Sequence, residues 1–374
     1  MKLCILSHCF YPSKNRGGPT VSITNMVKAL ASKFEISVVT YGKDKGCDSF
    51  YNEVVLGKNH LFGADVYYLT QNTIKAFETQ IKAIQPDIIY VSSLFSYQYS
   101  IPAILYAKRN KNVRLIMAPR GELMPEALKR RRFVKKLFLF CTRLLTPGRV
   151  DFHATSDDEM GAIKRIFKKN AIWKIRNLPS SLSANKLKDG KKPGKASIVM
   201  VGRVHPIKNI HYALEILQSV KGEIAVDVYG PLENEEYLAK CKSLASKLDS
   251  NITVNFKGTV NHEDIGKILE KYDIFLSPTK SENFGHSIVE ALISGTPVVI
   301  SNNTPWHELE KHCAGFDISL DSPDLFINAI NFFVDMDAAD YELWSQGATT
   351  YISKFASIEE DQSKYVEMFL AKRE

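Results

Sequence analysis

Long apolar runs are missing from this chain. Nowhere do about 18 apolar residues follow one another, the length a helix needs to cross a bilayer, and the opening Met1-Lys2-Leu3-Cys4-Ile5-Leu6 is broken by Ser7-His8 and then by Pro12. Neither a membrane-spanning helix nor a secretory leader is expected, and the protein is expected in the cytoplasm. Cysteine is sparse and scattered: Cys4, Cys9, Cys47, Cys141, Cys241 and Cys313 form no Cys-x-x-Cys pair, and no histidine cluster has ligand spacing. A disulfide framework and a structural zinc site are therefore not expected, and the six are read as reduced packing thiols. Internal repeats of 20 to 50 residues are lacking too, which argues against solenoids and propellers. Asp335-Met336-Asp337 trails the apolar run Phe326 to Val334 and reads as a helix terminus, so no bound metal is expected.

What is present is the composition of an ordinary globular protein, 374 residues with 45% hydrophobic and 24% charged. That is too long for one core of typical size, so two domains are expected. The net charge of +8 hides an asymmetry: residues 1–185 hold 29 Lys and Arg against 13 Asp and Glu, whereas the remainder holds 20 against 28. The two halves carry opposite fields. A polar stretch from Asn185 to Lys195 with Gly190, Pro193 and Gly194 separates them. The expected organisation is a first domain over 1–185, a linker over 186–196, a second domain over 197–355, and a final helical pattern within 356–374, from Glu359 to Lys372.

Each half alternates short β-rich runs with helical patterns. Strands are expected near Leu3–Ser7, Ile36–Thr40, Val66–Leu69, Ile88–Val91, Leu115–Ala118, Phe152–Ala154 and Ile172–Ile175, then near Ile198–Val201, Ala225–Tyr229, Thr253–Phe256, Ile274–Leu276 and Val298–Ile300. Alternation of this kind predicts an α/β protein of two doubly wound, Rossmann-like parallel-sheet domains facing across a cleft, with ligands at the carboxyl ends of the strands.

Chemistry concentrates where such strands end. After the apolar run Tyr272 to Ser277, Pro278 stops a strand, and Glu282-Asn283-Phe284-Gly285-His286-Ser287 leads into helical spacing from Phe284 to Ser294 that Gly295 closes. Gly285 and Ser287 fall near a helix start, where free N–H groups favour an anion. Glu282 and Glu290 would stand about 12 Å apart on a continuous helix at ~1.5 Å per residue, too far to grip one atom but suited to bracketing a diphosphate. A surface helix with two solvated glutamates is the plainer alternative. Val199-Met200-Val201-Gly202-Arg203-Val204-His205-Pro206-Ile207-Lys208 reads as a buried strand, a glycine turn and a helix start, leaving Arg203 and Lys208 at the strand end to neutralise phosphate charge as a bond to it breaks. Tyr11 to Pro19 holds Gly17-Gly18 between the first strand and a helix, where backbone N–H groups can approach a ligand. Tyr229-Gly230-Pro231 and Lys257-Gly258-Thr259-Val260 end two more strands.

Glu282-x7-Glu290, together with Phe284-Gly285, Glu290-Ala291 and Gly295-x-Pro297-Val298-Val299, resembles the signature of retaining glycosyltransferases of the GT-B fold, in particular the large bacterial family 4. The resemblance implies a metal-independent transferase that uses no cofactor and takes a UDP-sugar or GDP-sugar donor. Glu282 would contact the donor sugar, Glu290 the ribose, and Arg203 and Lys208 the diphosphate. Asn283, Phe284, Gly285 and Ser287 would line the donor site, Gly17 and Gly18 would meet donor and acceptor, and the loops at Gly230 and Val260 would meet the base. It also implies that the last helix crosses back onto the first domain. Many relatives carry a histidine near the donor sugar, where Pro119-Arg120-Gly121 stands here; that form resembles a subset of bacterial polysaccharide transferases, and Arg120 is expected to contact a donor or acceptor phosphate.

Ala127 to Leu145 carries seven basic residues and no acidic one. Phe133, Leu137, Phe140 and Leu144 share a helical face with Val134, Phe138, Cys141 and Leu145. Two readings stay open for 129–145: a helix buried against its domain, or one docked on an anionic membrane surface. The function expected is transfer of a sugar to a saccharide acceptor, which could be polyprenyl-diphosphate-linked, in capsule or O-antigen synthesis at the inner face of the cell membrane. A nucleotide-sugar epimerase of the same fold and a basic nucleic-acid-binding protein are the alternatives; no nucleic-acid module is recognisable.

Overall fold

Strand β1, Lys2–Ser7, shows how the pattern works: Leu3 and Ile5 join one core and Cys4 and Leu6 another, all fully buried. A strand covered on both faces reads as an unbroken apolar run, and such strands belong to parallel sheets. The structure is a computed structural model that describes residues 1–129, 132–145, 150–180, 190–355 and 358–371. It divides into two units, Met1–Leu178 with Ile358–Glu374, and Pro179–Ser357.

In the first unit β2 (Glu35–Tyr41), β3 (Gly57–Leu61), β4 (Ala64–Leu69), β5 (Ile88–Ser92), β6 (Arg114–Ala118), β7 (Val150–Ala154) and β8 (Ile172–Lys174) join β1 in the order β3-β4-β2-β1-β5-β6-β7-β8. All pairs are parallel except β3 with β4. One face is covered by the helices Gly18–Leu30 and Ile358–Leu370, the second supplying Tyr365, Met368 and Phe369 to the core. The other packs Phe77, Ile81, Tyr99 and Ala103. Arg114 fastens the last helix, donating from Nη1 to the carbonyl of Phe369 at 3.3 Å and pairing with Asp151 at 2.6 Å.

The second unit holds β9 (Lys195–Val201), β10 (Glu223–Tyr229), β11 (Ile252–Gly258), β12 (Ile274–Ser277), β13 (Val298–Ser301) and β14 (Gly315–Ile318), all parallel, in the order β11-β10-β9-β12-β13-β14. Every strand expected from the sequence is present. The two that escaped, β3 and β14, are edge strands: Gly-Lys-Asn-His-Leu has no buried residue, and Gly-Phe-Asp-Ile is too short to show a period.

Asp335 ends the helix Pro323–Asp335, and the Asp337 carboxylate accepts from the N–H groups of Ala339 and Asp340, both at 2.9 Å, to start the helix Ala338–Phe355. Residues 181–189, most of the expected linker, lie outside the described residues. Lys191 is buried, and its ammonium donates to the carbonyls of Lys192, Lys195, Val334 and Met336 at 2.8 to 3.2 Å. It thereby satisfies a carbonyl at the end of the helix Pro323–Asp335.

Candidate active site

In the second sheet the chain runs outward from β9 through β10 to β11, then returns to the middle and runs the other way from β12 to β14. The order reverses between β9 and β12, so the loops leaving those two strands part and open a crevice at their carboxyl ends. The expected stretches that carry Arg203, Lys208 and Glu282 are these loops, while Arg120, also expected at a reacting group, lies in the first unit.

After β9, Gly202 turns the chain, and a short 3-10 turn, Pro206–Lys208, is capped by His205, whose Nδ1 accepts from the N–H of Ile207 at 3.3 Å. Lys208 ends that turn, and its Nζ forms an ion pair with the carboxylate of Glu282 from the loop after β12, both side chains about one-fifth exposed. The two loops are stitched beneath the pair: the carbonyl of Ile207 accepts from Lys280 N–H at 2.8 Å and from Thr279 Oγ1 at 3.1 Å. Glu282 N–H donates to Asn303 at 3.0 Å, tying the loop to the segment after β13. Main-chain bonds on three strand ends thus set where the pair stands.

The helix expected from Phe284 begins at His286 and ends at Ile293. Gly285 caps it with φ 77°, a left-handed conformation, and a side chain there would strike Ile288 Cδ1 at 2.8 Å and Glu282 Cγ at 3.1 Å. Phe284 is buried edge-on against Trp306 at 5.6 Å, and Trp306 Nε1 donates to the carbonyl of Phe284 at 2.6 Å. Asn283 and Ser287 stay partly exposed on either side.

Glu290 lies a turn into the same helix in a different environment. It is buried, its Oε1 accepts from Ser180 Oγ at 3.2 Å, and His262 Nε2 is 3.5 Å away. Burial pushes its carboxyl up to about 8, against the pull of the Ser180 hydrogen bond. Ser180 also meets His262 Nε2, at 3.1 Å. Serine and carboxylate address one imidazole nitrogen, so this is no hydrolytic triad, which needs one on each nitrogen.

Arg203 follows β9, 41% exposed, with Nη1 3.3 Å from Glu233 Oε2. Gly230 follows β10 with φ 144°, and its N–H donates to Gly258 at 2.8 Å; a Cβ there would fall 2.0 Å from the carbonyl oxygen of Gly202. Val260, half-buried, follows β11. Arg203, Lys208, Gly230, Val260 and Glu282 therefore share one edge of the sheet.

In the first unit the order reverses between β1 and β5. Gly17, φ 52°, ends the long loop after β1, and Gly18 opens the helix Gly18–Leu30. Arg120 follows β6 with φ 53°, unusual for a residue with a side chain. Its guanidinium donates to Asn177 Oδ1 and, at 2.8 Å, to Tyr90 Oη. Tyr90 is in turn 2.8 Å from His153 Nδ1, and His153 Nε2 is 2.8 Å from the carbonyl of Ile175. A carbonyl only accepts, so His153 carries its proton on Nε2 and Nδ1 accepts from Tyr90. Burial, with Arg120 nearby, lowers His153 to about 3, which keeps it neutral. Two carboxylates hold the turn, Glu159 buried and Glu122 half-buried: Glu159 accepts from Gly121 N–H at 2.7 Å, and Glu122 accepts from Ser93 Oγ and the N–H groups of Leu94 and Phe95 at 2.6 to 3.0 Å. None of these partners was legible in the sequence, although Ser156-x-x-Glu159 is a recognisable helix start.

The basic segment forms the helices Pro125–Lys129 and Arg132–Leu145, while Arg130 and Arg131 lie outside the described residues. Leu139 and Thr142 are buried and Phe138 packs on Tyr97 at 4.9 Å, whereas Phe133, Leu137, Phe140 and Leu144 are 88, 65, 59 and 65% exposed. The helix thus seats its narrow side and leaves its wider apolar stripe outside.

Two doubly wound, Rossmann-like units, the second with an anion-suited crevice at its switch point, define the GT-B fold class. Solved structures agree in fold: the sucrose-phosphate synthase of Thermosynechococcus elongatus superposes with a TM-score of 0.74 at 14% identity over 99% of this chain and 98% of that one. HepE from Anabaena, solved with UDP and glucose, superposes with a TM-score of 0.70 at 16% identity over 99% of each chain. Residues 183–350 match the family model described as Glycosyl transferases group 1. An uncharacterized glycosyltransferase of Haemophilus influenzae is 27% identical over 180 residues, 43% of this chain and 49% of that relative. The alignment thus spans about half of the relative's length.

Proposed function

We propose that the protein is a retaining glycosyltransferase that moves a sugar from a nucleotide diphosphate donor to a hydroxyl of a saccharide acceptor without a metal. The observation that carries this reading is the Lys208–Glu282 pair at the switch point of the second sheet, beside the glycine-capped helix start at Gly285 and within the region matching the family. The Glu282 carboxylate, held in place by the Lys208 ammonium, accepts from sugar hydroxyls, while Lys208, Arg203 and the N–H groups around Ser287 take up charge on the departing diphosphate. Asn283 and Phe284 shape that corner. Glu290 would accept the ribose hydroxyls, and backbone at Gly230 and Val260 would meet the base. UDP is the favoured nucleotide, supported by the UDP in the HepE structure, with GDP the alternative. Gly17 and Gly18 would guide the sugar toward the acceptor. A phosphate contact by Arg120 would compete with Asn177 and Tyr90, so we assign Arg120 to holding the turn after β6.

Cell-surface polysaccharide synthesis at the cytoplasmic face of the membrane is the setting this reading favours. The exposed Phe133, Leu137, Phe140 and Leu144, flanked by Lys136 and Arg143 with no acidic residue on the helix, fit an anionic lipid surface, and a lipid-linked acceptor would make such docking useful. Screening UDP- and GDP-sugars for nucleoside diphosphate release tests the activity. Glu282→Gln and Lys208→Met should each lower turnover by about 10²-fold or more, the scale of losing one transition-state contact, with unchanged unfolding midpoints. Wild-type rates in both variants sink the assignment.

A further inference from the structure

A cavity of about 350 Å³ opens in the first unit beside the carboxyl ends of β1, β2, β4 and β5, with His8, Arg16, Lys43, Asp44 and Lys45 among its lining residues. Ligand pockets span roughly 300–1,000 Å³, so this one holds a sugar ring or two. Its charge balance is lopsided, three cations against one carboxylate. That carboxylate is committed to the wall: Asp44 Oδ1 accepts from Ser13 Oγ at 2.8 Å and Lys45 N–H at 2.7 Å, and Oδ2 from Lys14 N–H at 2.7 Å and Asn15 N–H at 3.0 Å. Four donors leave it little capacity to accept from a ligand, and they pin the loop after β1 to the loop after β2. Lys43 reaches the carbonyl of Asp48 and covers the Phe50 ring at 4.6 Å. Arg16 differs: partly buried, it has no hydrogen bond or ion pair with any described residue. A partly buried guanidinium without a counter-charge is an incomplete site, and a planar fork of N–H donors matches carboxylate or phosphate.

We propose that this cavity takes an anionic saccharide, a sugar bearing a carboxylate or a phosphate, with Arg16 gripping the anionic group and the amides of Asn72 and Gln98 meeting hydroxyls. Resting on the transferase reading, this makes the acceptor an acidic sugar residue. His8, half-buried at the cavity wall and held neutral near pH 7 by loss of solvation and by Arg16, adds a neutral ring nitrogen and no further cation.

Titrations of the full chain with D-glucuronate, glucose 6-phosphate, D-glucose and inorganic phosphate, read by calorimetry or ligand-observed NMR, test the proposal. At least one of the two acidic sugars should bind tenfold or more tighter than glucose and than free phosphate. The better of the two identifies the anion. Arg16→Gln should erase the preference at an unchanged unfolding midpoint; should that variant fold poorly, Lys45→Gln should still weaken it several-fold. Equal binding of glucose, binding of neither acidic sugar at 10 mM, phosphate binding as tightly as the sugars, or a preference surviving substitution overturns it. UDP and GDP binding, measured on the same samples, depends on the second unit, so a failure there counts against the transferase reading and not against this site.

Discussion

Replacing Glu290 by glutamine should flatten the pH dependence of the second unit's stability. Burial lifts this carboxyl from an ordinary 4.5 to about 8 in the folded chain. Between those values the folded state keeps a proton that the unfolded chain has lost, so its contribution is full at and below pH 4.5 and is lost as pH rises through 8. A tenfold difference in proton affinity between folded and unfolded chain corresponds to about 1.4 kcal/mol, so the loss approaches ~5 kcal/mol at most across that window. Glutamine keeps the shape and the hydrogen bond from Ser180 but cannot ionise. Urea unfolding by tryptophan fluorescence in a Trp173→Phe background, which leaves Trp306 and Trp344, both in this unit, should show the variant gaining on the wild type steadily from pH 5 to 8.5. Parallel profiles would refute the reasoning, because every other titrating group, His262 included, is common to both proteins.

Gly230→Ala should destabilise the second unit by several kcal/mol, since its Cβ would lie 2.0 Å from a main-chain oxygen that has no room to move; an unfolding midpoint within error of wild type would contradict this. Lys191→Met should cost about 2–4 kcal/mol, the ammonium's bonds to four carbonyls being lost in a buried place, which urea unfolding can read. His153 should stay neutral and protonated on Nε2 at pH 5, visible in its ¹⁵N shifts, and should lend the first unit stability that falls away as pH drops from 6.5 toward 3. Phe133→Ser combined with Leu137→Ser and Phe140→Ser should abolish flotation with phosphatidylglycerol vesicles without lowering the unfolding midpoint; undiminished flotation would end the docking idea.

The sheets were legible because parallel strands buried on both faces write themselves as apolar runs such as Ile274-Phe275-Leu276. Their glycine-ended loops were legible as well, and so were Lys208 and Glu282 as residues at strand ends. The pairing of those two was not, because it depends on β9 and β12 being neighbours, a fact of topology that no local spacing carries. Glu290 was readable as a carboxylate on a helix but not as a buried one, since Ser180 and His262 reach it from 110 and 28 residues away. The surroundings of Arg120 were opaque for the same reason: Tyr90 and Asn177 meet it, and His153 backs Tyr90, only after three strands and a loop have assembled. Helical spacing at 132–145 revealed an apolar stripe, yet periodicity alone does not tell a face that packs from one left in solvent.

The helix Ile358–Leu370 belongs to the first unit while the whole of 179–357 lies in the second. The order of completion during synthesis is therefore inverted. The second unit is one uninterrupted segment and can close as soon as residue 357 has left the ribosome. The first, although made earlier, must wait with Tyr90, Phe34 and Arg114 uncovered until Tyr365, Met368 and Phe369 arrive. Shortening the chain before that helix should yield a soundly folded second unit attached to an unfinished, aggregation-prone first one.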